Sequence, residues 1–213
     1  MNLIRIGIIG LFVLQSSLCS SQENWELAQD KDEIFIYTRT EENSSFKSFK
    51  VNLEIECTIE RFIYEIQNLD GFKKWGYKIR EVELLERAGD TIQIYYAESK
   101  APFPFKNRDG IYKNTFRWDK ESQTLLIPID VLDNRLPLKE GKIRVKGKGY
   151  WKVIVNDKGK LDITFEMSID PGGAIPAWLS NIFITDSPYS TINDLKEILE
   201  VPLKNNINYS FLD

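Results

Sequence analysis

Apolar and polar side chains alternate along most of the chain, with the period of two residues that is typical of strands with one buried face. Between the alternating stretches lie short polar or glycine-containing groups, such as residues 88–90 and 156–159, which favour tight turns. The pattern therefore predicts consecutive antiparallel strands in one long meandering sheet. The predicted strands cover residues 34–39, 46–55, 79–84, 92–96, 111–118, 124–132, 142–155 and 161–169.

Other segments carry the spacing or the capping signals of helices. A first helix is predicted over residues 25–31. Thr58 can cap a second helix over residues 59–69, which Asp70-Gly71 is expected to break. A short element containing Trp75 follows it.

A last helix is predicted to begin at Ser187-Pro188, because serine is a favoured N-cap and proline fits the first helical turn. Residues 205–213 then form a frayed tail. Helices at both ends of one long sheet indicate the α+β class. The apolar stripe of the last helix consists of Ile192, Leu195, Ile198 and Leu199.

The N-terminus has the pattern of a signal peptide. One positive charge, Arg5, precedes an apolar run over residues 6–14 that is too short to span a membrane. We expect cleavage near Ser20 or Ser21 and export to the periplasm or the outside of the cell. The alternatives are an apolar core element and lipid anchoring at Cys19, although the residues before Cys19 depart from the lipoprotein pattern.

Composition excludes several kinds of catalytic and metal site. The chain has no histidine, which rules out a Ser-His-Asp triad, a Cys-His pair and zinc sites of the usual type. Without the signal peptide Cys57 is the remaining cysteine, so the mature chain forms no internal disulfide and its stability comes from packing. We therefore expect neither a metal nor a cofactor.

The net charge is also informative. It is −4 for the full chain, and loss of Arg5 leaves 27 basic against 32 acidic residues, or −5, which argues against nucleic acid as a partner. Lys142, Arg144, Lys146 and Lys148 nevertheless alternate with other residues, so that four positive charges share one strand face. This face is either simply solvated, or a docking patch for anionic lipid headgroups, or a source of cavity-facing charges.

Two turn-rich clusters carry a family resemblance. Residues 101–105 (APFPF) lead into residues 107–110 (NRDG), and residues 170–178 (DPGGAIPAW) join the last strand to the last helix. Together with residues 71–75 (GFKKW) and 140–144 (EGKIR), these clusters resemble the START family of lipid-transfer domains. The resemblance extends over residues 25–199.

The resemblance implies a helix-grip fold of the START and Bet v 1-like type. In that fold a curved antiparallel sheet is wrapped around a long C-terminal helix, with an internal hydrophobic cavity between them. The chain would then divide into a signal peptide at 1–21, a lipid-binding domain at 22–200 and a tail at 201–213. The residues expected to have a structural role are Trp75, Arg108, Asp109, Asp170, Pro171, Gly172 and Gly173.

A cavity in such a fold would be lined by inward-facing side chains of the strands and of the helix. For any one of them the alternative is an ordinary dry core. The candidates for ligand contact are Tyr95, Tyr96, Tyr112, Asn114, Phe116, Ile127, Ile129, Arg144, Phe165, Met167, Ile169, Leu195 and Leu199. The candidates for the cavity rim are Leu136, Leu138, Ile175 and Trp178.

The resemblance implies a monomer that binds a lipid or another hydrophobic small molecule and carries or sequesters it without catalysis. Transient contact with a membrane would load and unload it. One alternative is an enzyme on the same scaffold, of the cyclase, aromatase or hydrolase kind, for which Arg108-Asp109 is a possible catalytic pair. The other is an envelope interaction protein whose cavity is filled by its own side chains.

Overall fold

The computed structural model describes residues 24–41, 44, 46–173, 176–203 and 207–213, with the backbone alone for residues 177–183. The strands are β1 (Glu26–Lys31), β2 (Ile34–Thr40), β3 (Lys47–Ile55), β4 (Ile79–Ala88), β5 (Ile92–Ser99), β6 (Asn107–Thr115), β7 (Arg117–Asp119), β8 (Thr124–Val131), β9 (Lys142–Arg144), β10 (Lys146–Val155) and β11 (Leu161–Asp170). The helices are α1 (Ile59–Gln67), α2 (Leu69–Trp75) and α3 (Ala177–Leu199), and a 3₁₀ turn covers Ser210–Leu212.

All these strands join one curved sheet, in the order β1-β2-β3-β11-β10-β8-β6-β5-β4. β7 pairs with β8, and the short β9 runs parallel to β6, whereas every other pair among the described strands is antiparallel. Since α1 and α2 occur between β3 and β4, the chain places the first three strands at one end of the sheet and β4 to β6 at the other. The predicted α+β class is confirmed.

The main core lies between one face of the sheet, α1 and the second half of α3. Alternating side chains of the strands supply most of it, as the period of two predicts. Phe62, Leu125, Ile127, Ile192 and Leu195 are each no more than 2% exposed. These residues close one end of the space between sheet and helix completely.

The predicted first helix is wrong. Residues 26–31 form β1, which pairs antiparallel with β2 through a turn at Asp32 and Glu33. Almost all of β1 is exposed. Because neither of its faces is buried, its apolar and polar residues do not alternate, and its sequence cannot be distinguished from that of a solvated helix. Hydrogen bonding to the β2 edge decides its conformation, and this information is not local.

The break between the first two helices lies earlier than Asp70-Gly71. α1 begins after Thr58, whose hydroxyl accepts from the Arg61 amide as the capping signal predicts, and ends at Gln67 with Asn68 as its C-cap. The Asn68 side chain caps α2 by accepting from the Gly71 amide. Gly71 lies inside α2, where close packing requires a residue without a side chain: a Cβ there would be 2.3 Å from Glu65 Oε1.

The last helix is longer than its sequence signals indicated. α3 begins at Ala177, after Pro176, and Ser187-Pro188 lies in its middle instead of at its start. Proline lacks a backbone N–H and is therefore common in the first turn of a helix, which is why the local pattern resembles a helix N-terminus. Inside α3 it removes one backbone hydrogen bond. The predicted apolar stripe is confirmed at Ile192, Leu195 and Leu199, which are buried.

The C-terminal residues 207–213 pack against the core instead of fraying. Tyr209 is 7% exposed, and the Phe211 ring contacts both Tyr209 and Phe116. Arg61 fixes the chain just before them, because its guanidinium donates to the carbonyls of Ile198 and Val201. No periodic pattern predicts this docking, since the segment is too short to show one.

The four alternating basic residues do not belong to one strand. The predicted strand 142–155 is interrupted at Val145, so Lys142 and Arg144 belong to β9, while Lys146 and Lys148 belong to β10. Lys142 pairs with Glu98, and Arg144 pairs with Asp109. Lys146 lies near Asp133 in an exposed pair.

Candidate functional site

A cavity of about 370 Å³ lies between the sheet and the first half of α3. Its walls come from α2, from strands β3, β5, β6, β8, β10 and β11, and from α3, with the 99–105 segment at its edge. Most of the lining is apolar or aromatic. The lining residues are Phe46, Phe49, Phe72, Trp75, Gly76, Tyr77, Lys78, Ile79, Tyr95, Ser99, Lys100, Ala101, Pro102, Phe105, Arg108, Tyr112, Ile129, Val145, Trp151, Phe165, Met167, Ile169, Pro171, Ile184, Ser187, Pro188 and Thr191.

One wall of the cavity is a group of packed rings on neighbouring strands. Trp151 and Phe165 lie opposite each other in the β10–β11 register and stack with centroids 3.9 Å apart. Phe49 meets the Phe165 ring edge-on at 5.5 Å. Such rings provide a large apolar surface whose geometry is fixed by mutual packing.

The facing wall contains two tyrosines. Tyr95 and Tyr112 are paired across β5 and β6, and their rings stack with centroids 5.4 Å apart. Burial raises the pKa of Tyr95 well above its usual range, and burial also raises the pKa of Tyr112 to about 12. Both hydroxyls therefore stay protonated at neutral pH, where they act as hydrogen-bond donors or acceptors and not as bases.

Arg108 brings a positive charge to the cavity wall. It is 8% exposed, and burial lowers its pKa. Its Nε and Nη2 donate to the carbonyls of Pro171 and Gly172, both at 3.3 Å, and its Nη1 donates to Lys106 O. The side chain thereby ties the start of β6 to the loop that leads into α3.

That loop has a left-handed backbone at two glycines. Gly172 and Gly173 have φ angles of 63° and 69°, and a Cβ on Gly173 would lie 2.6 Å from Ile143 Cδ1. Asp170 stabilises the turn by accepting from the Gly172 amide at 2.8 Å. Glycine is required at both positions, which explains why the sequence places two glycines before the last helix.

Asp109 points away from the cavity, as its alternation with Arg108 requires. Its carboxylate accepts from Nε and Nη2 of Arg144, each at 3.0 Å. Arg144 also donates to the carbonyls of Asp133, Leu136 and Pro137. The Asp109–Arg144 pair thus fastens the 133–137 loop to the outer face of the sheet.

Comparison with known proteins agrees with this architecture. A family model for the START domain matches residues 12–201, which is most of the chain. The chain belongs to the START domain family. The helix-grip fold predicted from the sequence is thereby confirmed, and lipid binding is the activity for which the family is known.

Relatives of this START domain come from bacteria and mammals. An uncharacterised protein of Pseudomonas aeruginosa is 26% identical over 93% of this chain and 98% of its own length. The phosphatidylcholine transfer protein of Rattus norvegicus is 29% identical over 81% of this chain and 82% of its own. The crystal structure of a StAR-related lipid transfer protein from Xanthomonas axonopodis covers 83% of this chain and 99% of its own, at 30% identity and a TM-score of 0.76.

Six of the residues predicted for ligand contact line the cavity of the START domain. They come from three different regions of the sheet, and each lies on its inner face. They are Tyr95, Tyr112, Ile129, Phe165, Met167 and Ile169. Strand alternation located five of them, whereas the adjacent aromatic residues Tyr95 and Tyr96 left the inward-facing position of β5 open.

The remaining ligand-contact candidates require correction. Phe116, Ile127, Leu195 and Leu199 face inward but fill the closed end of the fold, so they are core residues. Asn114 is 3% exposed and hydrogen-bonds to Tyr95 outside the cavity lining. Alternation identifies the buried face of a strand, but it does not tell which part of that face is left empty.

Two candidates lie on the opposite face of the sheet. Tyr96 is fully buried in a second, smaller cluster with Ile94 and Ile111. Arg144 is held by Asp109 on the same outer face. The error at Tyr96 arises because Tyr95 and Tyr96 are both aromatic and adjacent, so that either of them fits an inward-facing position.

The predicted rim is also partly wrong. Leu136 packs on the outer-face cluster, whereas Leu138 is 74% exposed. Ile175 lies outside the described residues, and so does the side chain of Trp178. Among the described residues, the mouth of the cavity includes residues 99–105, where Pro102 and Phe105 line the cavity and Phe103 is 97% exposed.

Several lining residues were missed, although the sequence contained a signal for some of them. Phe49 has the same parity as the buried Val51 and Leu53, and Trp151 the same parity as Val153. Ile184 had no such signal, because the ten residues before Ser187 were not predicted as helix. Trp75, predicted as structural, lines the cavity and packs against Phe72.

Proposed function

We propose that this START domain binds one lipid or other hydrophobic small molecule in the cavity and carries or sequesters it without catalysis. The observation that carries the proposal is the cavity of about 370 Å³, walled by packed rings and closed at one end by the core. Apolar ligand surface removed from water there contributes about 25 cal/mol per Å². The cavity therefore provides the driving force for extracting an apolar molecule.

The chemistry of the lining supports binding over catalysis. Among the described residues that line the cavity there is no carboxylate and no cysteine, and the chain has no histidine. Tyr95 and Tyr112 have raised pKa values, so neither hydroxyl acts as a base at neutral pH. An acid and a base within reach of one reacting atom, which general acid–base catalysis requires, are missing from this lining.

Transient membrane contact is part of the proposal. Phe103 is 97% exposed between two residues, Pro102 and Phe105, that line the cavity, so a membrane that accepts its ring lies against the mouth. Lys100 and Lys106 flank this segment and favour an anionic surface. No helix within the described ranges is both long and apolar enough to cross a bilayer.

We also propose that the protein acts as an exported monomer, with residues 1–21 removed as a signal peptide. The support is the charged start and the short apolar run of the N-terminus, which lies outside the described residues. Mass measurement of the protein purified from its own envelope gives the mature N-terminus. Retention of an intact N-terminus or a lipid on Cys19 would contradict the proposed processing.

Native mass spectrometry of the envelope-purified protein, followed by organic extraction, tests the binding function. We expect one lipid-sized adduct per chain. Ile129→Trp, which fills the cavity, should lose the adduct, whereas Asp130→Trp on the exposed face of the same strand should keep it. A folded, delipidated wild type that takes up nothing from a lipid panel would rule out the function.

Vesicle binding tests the membrane contact separately. Phe103→Ser should reduce binding to vesicles that contain phosphatidylglycerol and should slow lipid uptake. Val201→Ser, a change at an exposed residue near the closed end of the fold, should do neither. Equal binding of both variants would contradict docking through the 99–105 segment.

A further inference from the structure

The charged side chains that line the cavity are of one sign. Lys78, Lys100 and Arg108 line it, and no Asp or Glu does so within the described residues. The protein as a whole is acidic, with a net charge of −4. A positive cavity in an acidic protein is a local feature that the overall composition does not explain.

Arg108 differs from the other buried arginines. Arg61 donates to Glu65 at 2.9 Å and Arg144 to Asp109 at 3.0 Å, so each buried charge is neutralised by a carboxylate. Arg108 is as buried as they are, but across the described part of the chain its acceptors are three backbone carbonyls and no carboxylate. A buried cation without a counter-ion is costly unless something else supplies the negative charge.

Strand alternation accounts for this separation of charge. Glu98 and Asp109, the carboxylates nearest to Arg108 in the β5–β6 pairing, point to the outer face, where they meet Lys142 and Arg144. Ser99 and Arg108, which are opposite each other in the same pairing, both line the inner cavity. Acidic groups thus lie on one side of the sheet and the unneutralised guanidinium lies on the other.

The two lysines extend the positive region to the mouth. The Lys100 amide donates to the Lys78 carbonyl at 2.9 Å, which holds the segments after α2 and after β5 side by side. Both lysines are exposed. Residues 71–80 and 99–108 contain seven basic residues and no acidic one: Lys73, Lys74, Lys78, Arg80, Lys100, Lys106 and Arg108.

From this arrangement we infer that the ligand is an anionic amphiphile with a net negative charge. Its carboxylate or phosphate group contacts Arg108, with Lys78 and Lys100 beside it at the mouth, and its apolar chain lies against the aromatic wall. The inference rests on the proposed binding function and names the chemical class of its ligand. The two remaining N–H groups of the Arg108 guanidinium supply charge-assisted hydrogen bonds to the anion.

Two ligands that share the same hydrocarbon chain but differ in headgroup charge test whether the charge contributes to binding. Delipidated protein is titrated with oleate and with oleyl alcohol at a pH where oleate is ionised. Since charge-assisted hydrogen bonds to the buried guanidinium are available to the anion and not to the alcohol, oleate should bind at least about tenfold more tightly. Monooleyl phosphate tests a phosphate headgroup, and inorganic phosphate alone tests whether the anion binds without the chain.

Substitutions test whether the preference for oleate depends on the basic residues of the cavity. Lys78→Glu/Lys100→Glu should weaken the binding of oleate more than the binding of oleyl alcohol, so that the preference for oleate falls. Lys152→Glu/Lys158→Glu makes the same charge change at two exposed lysines outside the cavity and should leave the preference intact. Arg108→Met should abolish the preference. This substitution also removes the hydrogen bonds to the carbonyls of Pro171 and Gly172. If the Arg108→Met protein does not fold, the lysine variants decide the test.

The outcomes separate the inference from the function on which it rests. Equal affinity for oleate and oleyl alcohol would overturn the anionic class and leave lipid binding standing. So would preferential loading of phosphatidylcholine over phosphatidylglycerol with the same acyl chains. A preference for oleate that survives the lysine and arginine changes would overturn the assigned site. If the folded protein binds none of these ligands, the binding function itself fails.

Discussion

Arg144 binds the carboxylate of Asp109 through two hydrogen bonds of 3.0 Å, on the face of the sheet opposite the cavity. The two residues are partners in the parallel register of β9 and β6. Both side chains are almost completely buried, so each charge depends on the other. Asp109, which the sequence offered with Arg108 as a catalytic pair, therefore joins Arg144 in holding the sheet and its outer loop together.

Arg144→Met should destabilise the fold by about 3–5 kcal/mol, because it leaves the Asp109 carboxylate buried without a partner. Urea unfolding followed by circular dichroism measures this loss. Lys146→Met is the matched control, since the Lys146–Asp133 pair is exposed and its loss should cost less than about 1 kcal/mol. Equal effects of the two substitutions would contradict the role given to Arg144.

Glu98 should make the stability sensitive to acid. Burial acts to raise its pKa, but hydrogen bonds from Lys142 and Asn107 outweigh burial, and the pKa lies below the ordinary value of 4.5. A lowered pKa stabilises the fold above the unfolded-state value, and this contribution is lost as the pH falls through the folded-state pKa. Glu98→Gln should therefore be less stable than wild type at neutral pH, with the difference shrinking below about pH 4.5.

Urea midpoints across the acidic range measure the Glu98 effect. The same substitution in a Lys142→Met background should show a smaller pH dependence, because the main stabilising partner is absent. A difference between Glu98→Gln and wild type that stays constant with pH would refute the coupling.

The cavity tyrosines should resist ionisation in alkaline solution. The pKa of Tyr112 is raised to about 12, above the unfolded value of 10, so its neutral form stabilises the fold below about pH 10 and this contribution is lost as the pH rises through the folded-state value. Tyr112→Phe should therefore leave the phenolate absorbance of the folded protein at about pH 11 almost unchanged. In concentrated guanidinium the same substitution should remove the signal of one of nine tyrosines.

Docking of the C-terminal segment should contribute to stability. Tyr209→Ala removes a buried ring that packs against Phe211 and the core, and should cost about 2–4 kcal/mol in urea unfolding. Ser210→Ala, at the exposed neighbouring position, should change the free energy of unfolding by less than about 0.5 kcal/mol. If both variants unfold at the same urea concentration as wild type, the segment does not contribute.

The sequence predicted the sheet better than the cavity. Alternation located the inner faces of β6 and β11, and hence Tyr112, Phe165 and Met167. It could not distinguish Ile127 from Ile129, which share a strand and a face, although one packs in the core and the other lines the cavity. That difference depends on how far the side chains of α1 and α3 reach across the sheet, which is a tertiary property.

Other errors came from local signals that tertiary contacts override. Ser187-Pro188 has the residues of a helix start, but the ten residues before it are helical as well. β1 has no apolar alternation, and its pairing with β2 defines it. In both cases the conformation is set by a neighbouring element that the local residues do not specify.

The uneven attachment of α3 has a thermodynamic consequence. Its second half is held by buried Leu195 and Leu199 and by the Arg61 bonds to the carbonyls of Ile198 and Val201, whereas its first half covers the cavity and contains Pro188. A motion that raised the first half would expose the cavity and leave the packed end intact. Ligand exchange and global unfolding are then separate equilibria with separate free energies, and a substitution at the closed end can change the lifetime of the fold without changing the residence time of the ligand.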